Sequence, residues 1–251
     1  MSANRPFVLT IAGFDPSSGA GVLADIKTFE QHQVYGFAIN TANTIQTENE
    51  FIEVKWTDLN FVLKSIEKLF NNYDIKAAKI GIIPSIEYLK EIVCAIKNLS
   101  PNTKIVWDTV LKSSTDFDFL NIENQETLIQ ILNKIDLITP NYKEILQLSP
   151  KENNAETIAI YLSKYCSVLL KGGHNPTEIG VDYLFTENQV HQLIPKNTKC
   201  YEKHGSGCVL SSAITANIAL EYNLKTACEK AKIYTENYLL SNPTKLGFHY
   251  V

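Results

Sequence analysis

The chain has 251 residues, of which 45% are apolar and 20% charged, with a formal net charge of −4. That length is enough to bury a sizeable core, and the ordinary composition excludes a disordered, collagen-like or coiled-coil protein. No apolar run approaches the ~20 residues of a membrane span. The short run Phe7–Phe14 meets Asp15 at once and lacks the small-residue cleavage pattern of a signal peptide. A mildly acidic chain also lacks the basic footprint of a nucleic-acid binder, so neither nucleic acid nor membrane is expected as a partner.

Arg5 is the only arginine, so any phosphate chemistry must proceed without an arginine clamp from this chain. The five cysteines, Cys94, Cys166, Cys200, Cys208 and Cys228, are odd in number and show neither C-x-x-C nor zinc-finger spacing. That argues against a disulfide scaffold or a structural zinc site and fits a reducing cytoplasm.

In chain order, a strand is expected over Phe7–Ala12, followed by the glycine-rich turn Gly13–Gly21 and a helix beginning near Ala20. Gly36–Val54 has β-rich patches at Phe37–Ile39 and Phe51–Val54. Thr57–Tyr73 repeats Leu59, Val62, Leu63, Ile66, Leu69 and Phe70 at helical spacing, with Thr57 or Asp58 as cap. Strands follow at Ile75–Ile80, Lys104–Asp108, Asp136–Thr139 and Ser167–Lys171, separated by helices over Ser85–Lys97, Asn121–Lys134 and Glu156–Tyr165. Val181–Phe185 and Val190–Ile194 read as a hairpin around Thr186-Glu187-Asn188. Helices over Ser206–Glu221 and Lys225–Leu240 complete the chain. Alternating strands and helices imply right-handed crossovers and a mainly parallel sheet with helices on both faces. With no repeat or linker, residues 1–251 read as one α/β domain with a small β flap.

Five stretches carry candidate chemistry. Gly19-Ala20-Gly21-Val22-Leu23-Ala24 matches G-x-G-x-x-A, but no acidic residue stands where a dinucleotide ribose would need one, and a plain strand-to-helix turn is the alternative. Asp25, early on the next helix, either complements the helix dipole or faces a ligand. Gly205-Ser206-Gly207-Cys208 opens a helix of small residues. Its free amides make an anion site, and Cys208 in the first turn is expected to have a lowered thiol pKa, unless it is simply a small buried cysteine. Asp108 ends an apolar strand, and Asn141 and Glu144 share a helix face beyond another. These oxygen ligands suit Mg²⁺, though a turn residue and a capping box would explain them as well. Lys171-Gly172-Gly173-His174 closes a strand, placing a lysine where anionic groups bind, while His174 reads as a solvent-facing loop residue.

Taken in order, these stretches resemble the ribokinase-like superfamily, and within it the hydroxymethylpyrimidine/phosphomethylpyrimidine kinases of thiamine biosynthesis. The resemblance rests on Leu9–Gly13 with Asp15-Pro16-Ser17 and Gly19-Ala20-Gly21, then Ala24–Phe29, Val34-Tyr35-Gly36 and Gln46. It continues through Lys79-Ile80-Gly81, Asp108-Thr109-Val110, Thr139-Pro140-Asn141 with Glu144, Lys171–His174 and His204–Cys208. It implies a three-layer ribokinase-like fold, ATP and Mg²⁺ as cofactors, and a small pyrimidine alcohol as substrate, phosphorylated once and then again. A cytoplasmic homodimer is expected.

The resemblance also implies roles. Gly13, Asp25, Gln46 and Val110 hold the pyrimidine. Asp108, Asn141 and Glu144 hold Mg²⁺, with Asp108, Asn141, Lys171, Gly205 and Gly207 at the nucleotide. Cys208 is the base, assisted by Lys171, Gly205, Ser206 and Gly207 at the transferring phosphoryl group. Phe14, Ser18 and Ser206 depart from the usual residues, Ser18 replacing a glycine, and Leu111–Asp118 only loosely matches the family's lid. Three alternatives remain. One is a pyridoxal kinase of the same branch, although Gln46 and a Lys112–Phe119 lid without cysteine favour the pyrimidine. The others are a non-catalytic pyrimidine sensor and a dinucleotide-binding oxidoreductase.

Overall fold

The computed structural model describes residues 5–112, 119–120, 122, 124–149, 152–175, 177–197 and 199–250. Its elements, in chain order, are β1 (Phe7–Phe14), α1 (Gly21–Gln31), β2 (Tyr35–Gln46), β3 (Phe51–Trp56), α2 (Leu59–Phe70), β4 (Ile75–Ile80) and α3 (Ile86–Leu99). They continue with β5 (Lys104–Trp107), α4 (Gln125–Leu132), β6 (Leu137–Ile138), α5 (Tyr142–Leu148), α6 (Ala155–Leu162) and β7 (Ser167–Leu170). The hairpin β8 (Asp182–Phe185) and β9 (Val190–Leu193) precedes α7 (Ser206–Ala219) and α8 (Leu224–Leu240). Among the described residues, one sheet runs in the order β3-β2-β1-β4-β5-β6-β7-β8-β9. β2, β1, β4, β5, β6 and β7 pair in parallel, and β3, β8 and β9 join antiparallel at the edges.

The period of two along each strand makes the three layers. Leu9 and Ile11 of β1, and Ile105 and Trp107 of β5, point to the face covered by α2 to α6, where Ile66, Leu89, Ile92 and Leu128 are fully buried. The intervening Val8 and Val106 point the other way, Val8 toward Phe29 of α1 and Ala216 of α7, Val106 toward Leu210 and Ile214 of α7. Helix α7 therefore lies under the middle strands, and its small residues let it approach the sheet closely. This α/β architecture is the expected ribokinase-like three-layer fold.

Local chemistry sets the helix starts. Asp58 accepts from the Phe61 amide to cap α2, Ser85 caps α3, and Asn124 caps α4. Helix α4 accordingly begins at Gln125, three residues after Ile122, rather than at Asn121. β2 is also longer than the Phe37–Ile39 patch. Tyr35–Asn43 pair with β1, Ala42–Gln46 pair with β3 on the other side, only Thr44–Gln46 run beyond β1, and the polar run Asn40–Thr44 hides this from periodicity. The resulting β2–β3 ribbon is the flap. Among the described residues no helix is long and apolar enough to cross a membrane.

Candidate functional site

Strand order reverses at β1, with β2 on one side and β4 on the other. In open parallel sheets the crevice beyond the carboxyl ends at such a reversal is where ligands bind. A cavity of about 940 Å³ occupies that place. Gly13, Gln46, Asp108, Val110, Asn141, Glu144, Lys171 and Gly205–Cys208 all line it. Each follows or ends a different strand or opens a helix, so the topology alone brings them together.

Two glycine turns meet at the cavity. Gly205 has φ +73° as N-cap of α7, and a Cβ there would lie 2.0 Å from the Gly19 carbonyl oxygen, so only glycine fits. Asp15 fastens the turns together. Its carboxylate accepts from the Ser17 amide and hydroxyl, from the Ala20 amide, and at 2.9 Å from His204 Nε2. Burial alone would raise the Asp15 pKa, but the bonds from His204 and Ser17 outweigh it and hold the carboxyl below its ordinary range. The carboxyl-terminal segment braces the same loop. Lys203 Nζ donates to the Asn242 and Thr244 carbonyls, and the His204 amide donates to Lys245.

Helix α7 begins without a side-chain cap, and the Gly207 and Cys208 amides have no acceptor among the described residues. Lys171 Nζ lies above them, 3.3 Å from where a Gly207 Cβ would sit. Unpaired amides and an ammonium group together form an anion cradle that needs no arginine. Lys171 also pairs with Asp108 at 3.1 Å and Glu144 at 3.5 Å. Burial opposes its charge, yet these two carboxylates outweigh burial and raise its pKa. For Asp108, burial is likewise outweighed, by Lys171 and Lys79, and the carboxyl lies below its usual range. Glu144 goes the other way. Burial and the nearby Asp108 charge exceed the help from Lys171, so its pKa is raised.

The structure corrects three expectations. Asp25 neither lines the cavity nor completes the first turn of α1. It is fully buried, with its oxygens taken by Thr10 at 2.5 Å, Lys79 at 2.8 and 2.9 Å, and Ser212 at 2.6 Å. A carboxylate so fully engaged has no acceptor left for a pyrimidine. Asn141 is the N-cap of α5, its Oδ1 accepting from the Lys143 and Glu144 amides while the Glu144 carboxylate accepts from the Asn141 amide. Both lone pairs of that oxygen are used, leaving none for a metal. The Cys208 thiol is not lowered. Burial pushes it up to about 11, despite Lys79 and the Gly21 amide acting in the opposite direction.

Gly13, Gln46 and Val110 stand together in the cavity, with Gln46 tethered by Nε2 to Thr44 at 2.8 Å. The lid segment 113–118 and the His174 side chain lie outside the described residues. Asp15, Lys79 and His204 were missed as site residues. Asp15 and His204 sit inside the glycine motifs, and an acid beside one glycine turn with a histidine beside the other was the available signal. Nothing in the sequence pairs Lys79 with Asp25, 54 positions away.

The phosphomethylpyrimidine kinase family profile matches residues 15–250. A hydroxymethylpyrimidine/phosphomethylpyrimidine kinase of Aquifex aeolicus (strain VF5) is 34% identical, over 96% of this chain and 97% of its own length. The solved phosphomethylpyrimidine kinase from Clostridium difficile 630 superposes with a TM-score of 0.77 at 33% identity, covering 92% of this chain and 98% of its own. A pyridoxal kinase of Bacillus subtilis, solved as an ADP complex, gives 0.84 at 26% identity, covering 95% and 93%.

Ser18, where the resemblance expects a glycine, sits at φ +62° in the left-handed region. A non-glycine residue there costs roughly 1–2 kcal/mol, partly offset by glycine's greater freedom when unfolded. Ser18→Gly should therefore stabilise the protein by about 0.5–1 kcal/mol, read from urea midpoints. A lower midpoint would show that the serine side chain holds the turn.

Proposed function

The chain belongs to the phosphomethylpyrimidine kinase family, and from that membership we propose that it transfers the γ-phosphoryl group of ATP to the hydroxymethyl oxygen of 4-amino-5-hydroxymethyl-2-methylpyrimidine. The monophosphate then takes a second phosphoryl group, giving the diphosphate for thiamine biosynthesis. The observation that carries this reading is a single cavity joining the anion cradle of α7 and Lys171 to Gly13, Gln46 and Val110.

Gln46, fixed through Thr44, hydrogen-bonds the pyrimidine edge, while Gly13 and Val110 wall the ring. Cys208 as thiolate accepts the hydroxyl proton. The alcohol oxygen bonds to the γ-phosphorus, the bond to the β–γ bridging oxygen breaks, and its electron pair leaves with ADP. The Ser206 amide is taken by the Lys203 carbonyl, so Lys171 and the free amides of Gly207 and Cys208, set by the Gly205 turn, hold the charge that develops on the transferring group.

Mg²⁺ fits beside Asp108 and Glu144. They form a hard oxygen pair on the Lys171 ammonium, at 3.1 and 3.5 Å, in the wall of the cavity. When bound there, Mg²⁺ supplies neutralisation of the triphosphate.

Residues 1–251 act as one kinase domain. Five free cysteines support a cytoplasmic setting. The chain works as a homodimer, a reading supported by the exposed Ile45 and Ile52 on the flap. Light scattering should give a mass twice that of one chain, and a single-chain mass at micromolar concentration would exclude the dimer.

Cys208→Ala should lower kcat by roughly 10²–10⁴-fold with little change in KM. A thiol raised to about 11 is mostly protonated near neutrality, and its thiolate fraction grows as pH rises. Wild-type kcat/KM should therefore climb from neutral into alkaline pH and lose that slope in Cys208→Ala. Near-normal turnover by the variant would remove Cys208 as base.

A further inference from the structure

The cavity carries a second lysine that the mechanism leaves unused. Lys79, at the end of β4, is wholly buried yet forms part of the cavity wall. Its ammonium group is fixed against both oxygens of Asp25. Such a pair is a poor source of stability, because two desolvated ions seldom do better than apolar side chains of the same volume. Its placement indicates a different use. Ser212, which donates to Asp25 Oδ1, stands four residues after Cys208 on α7, and residues four apart share a helix face. The chain from Ser212 through Asp25 to Lys79 thus ties a fixed ammonium group to the α7 face that carries Cys208, and both Lys79 and Cys208 line the same cavity.

We propose that Lys79, held by Asp25, is a positioning residue for proton transfer, its ammonium group being the fixed positive charge that supports a negatively charged Cys208 sulfur. The inference rests on Cys208 being the proton acceptor of the phosphotransferase reading. The charged and titratable groups around that sulfur are Lys79 on β4, Asp25 on α1, Asp108 beyond β5, Lys171 beyond β7 and Tyr238 on α8. Lys171 is already engaged by Asp108 and Glu144. Asp108 meets α7 through the Ser211 hydroxyl, and among the described residues no hydrogen bond joins it to the Cys208 sulfur. Burial opposes the thiolate, Lys79 is the strongest charge favouring it, and Asp108 and Asp25 act against it more weakly. Removing the Asp25–Lys79 pair as a unit should therefore leave the thiol harder to ionise.

Two double variants remove both charges together, Asp25→Asn/Lys79→Gln with hydrogen-bonding groups and Asp25→Leu/Lys79→Met with apolar ones. The readout is iodoacetamide labelling of Cys208 against pH, resolved by peptide mass spectrometry, with the exposed Cys200 as internal reference. At pH 8 the Cys208 rate should fall about tenfold relative to Cys200, the loss expected for a shift of about one unit, and the alkaline rise of kcat/KM should move to higher pH by the same interval. KM for ATP should stay within about threefold, because the phosphate cradle is untouched. Folded variants with wild-type Cys208 reactivity overturn the proposal, as does loss of kcat/KM with unchanged thiol reactivity. Failure of both variants to fold would make the pair a structural requirement and equally overturn it. If the wild-type enzyme does not phosphorylate the pyrimidine alcohol, the functional reading fails on its own, and the labelling comparison still decides whether Lys79 governs the thiol.

Discussion

The site depends on two glycine turns packing at backbone distance. Gly205 stands against the Gly19 carbonyl with no room for a Cβ, and Asp15 bonds His204 across the same junction. These contacts fix where α7 begins, and so where its unpaired amides point. They also join the turn after β1, on the side of the cavity lined by Gly13, Gln46 and Val110, to the turn before α7, on the side lined by Lys171 and the α7 amides. A side chain at Gly205 would separate the two halves before altering any functional group.

Phosphate handling without arginine follows from the same geometry. Arg5 sits at the protein surface, bonded to Glu30, and takes no part. An anion is instead met by dipoles and one lysine. Lys171 is kept charged by its ion pairs with Asp108 and Glu144. The net acidity of the chain is therefore no obstacle to an anionic substrate, since the local field at the α7 amino end decides binding.

Much of this was legible in the sequence, for physical reasons that differ by element. Strands such as Ile75–Ile80 and the β8–β9 hairpin declare themselves through short apolar runs bounded by turn residues, and the α2 face through its recurrence of Leu59, Val62, Ile66 and Leu69. The far half of β2 was not legible, because a polar strand that changes partners carries no burial period. Asn141 and Glu144 showed both of their readings in advance, and the capping box is what the backbone makes of them. Asp25 and Cys208 failed for another reason. The charge state of a buried group depends on neighbours brought by topology, and Lys79 and Ser212 stand far from Asp25 in sequence. The resemblance located the residues, but the local field had to be read from the fold.

The proposed reaction passes a phosphoryl group from ATP to a pyrimidine alcohol in this cavity. Its most direct test is a comparison of kcat/KM for 4-amino-5-hydroxymethyl-2-methylpyrimidine and for pyridoxal with Mg-ATP, the products being identified by ³¹P NMR. Turnover of the pyrimidine to a monophosphate and then a diphosphate, with a kcat/KM at least about 10²-fold above that for pyridoxal, is expected where a polar edge is matched by Gln46. Equal or better use of pyridoxal, or release of inorganic phosphate with the alcohol unchanged, would contradict the account.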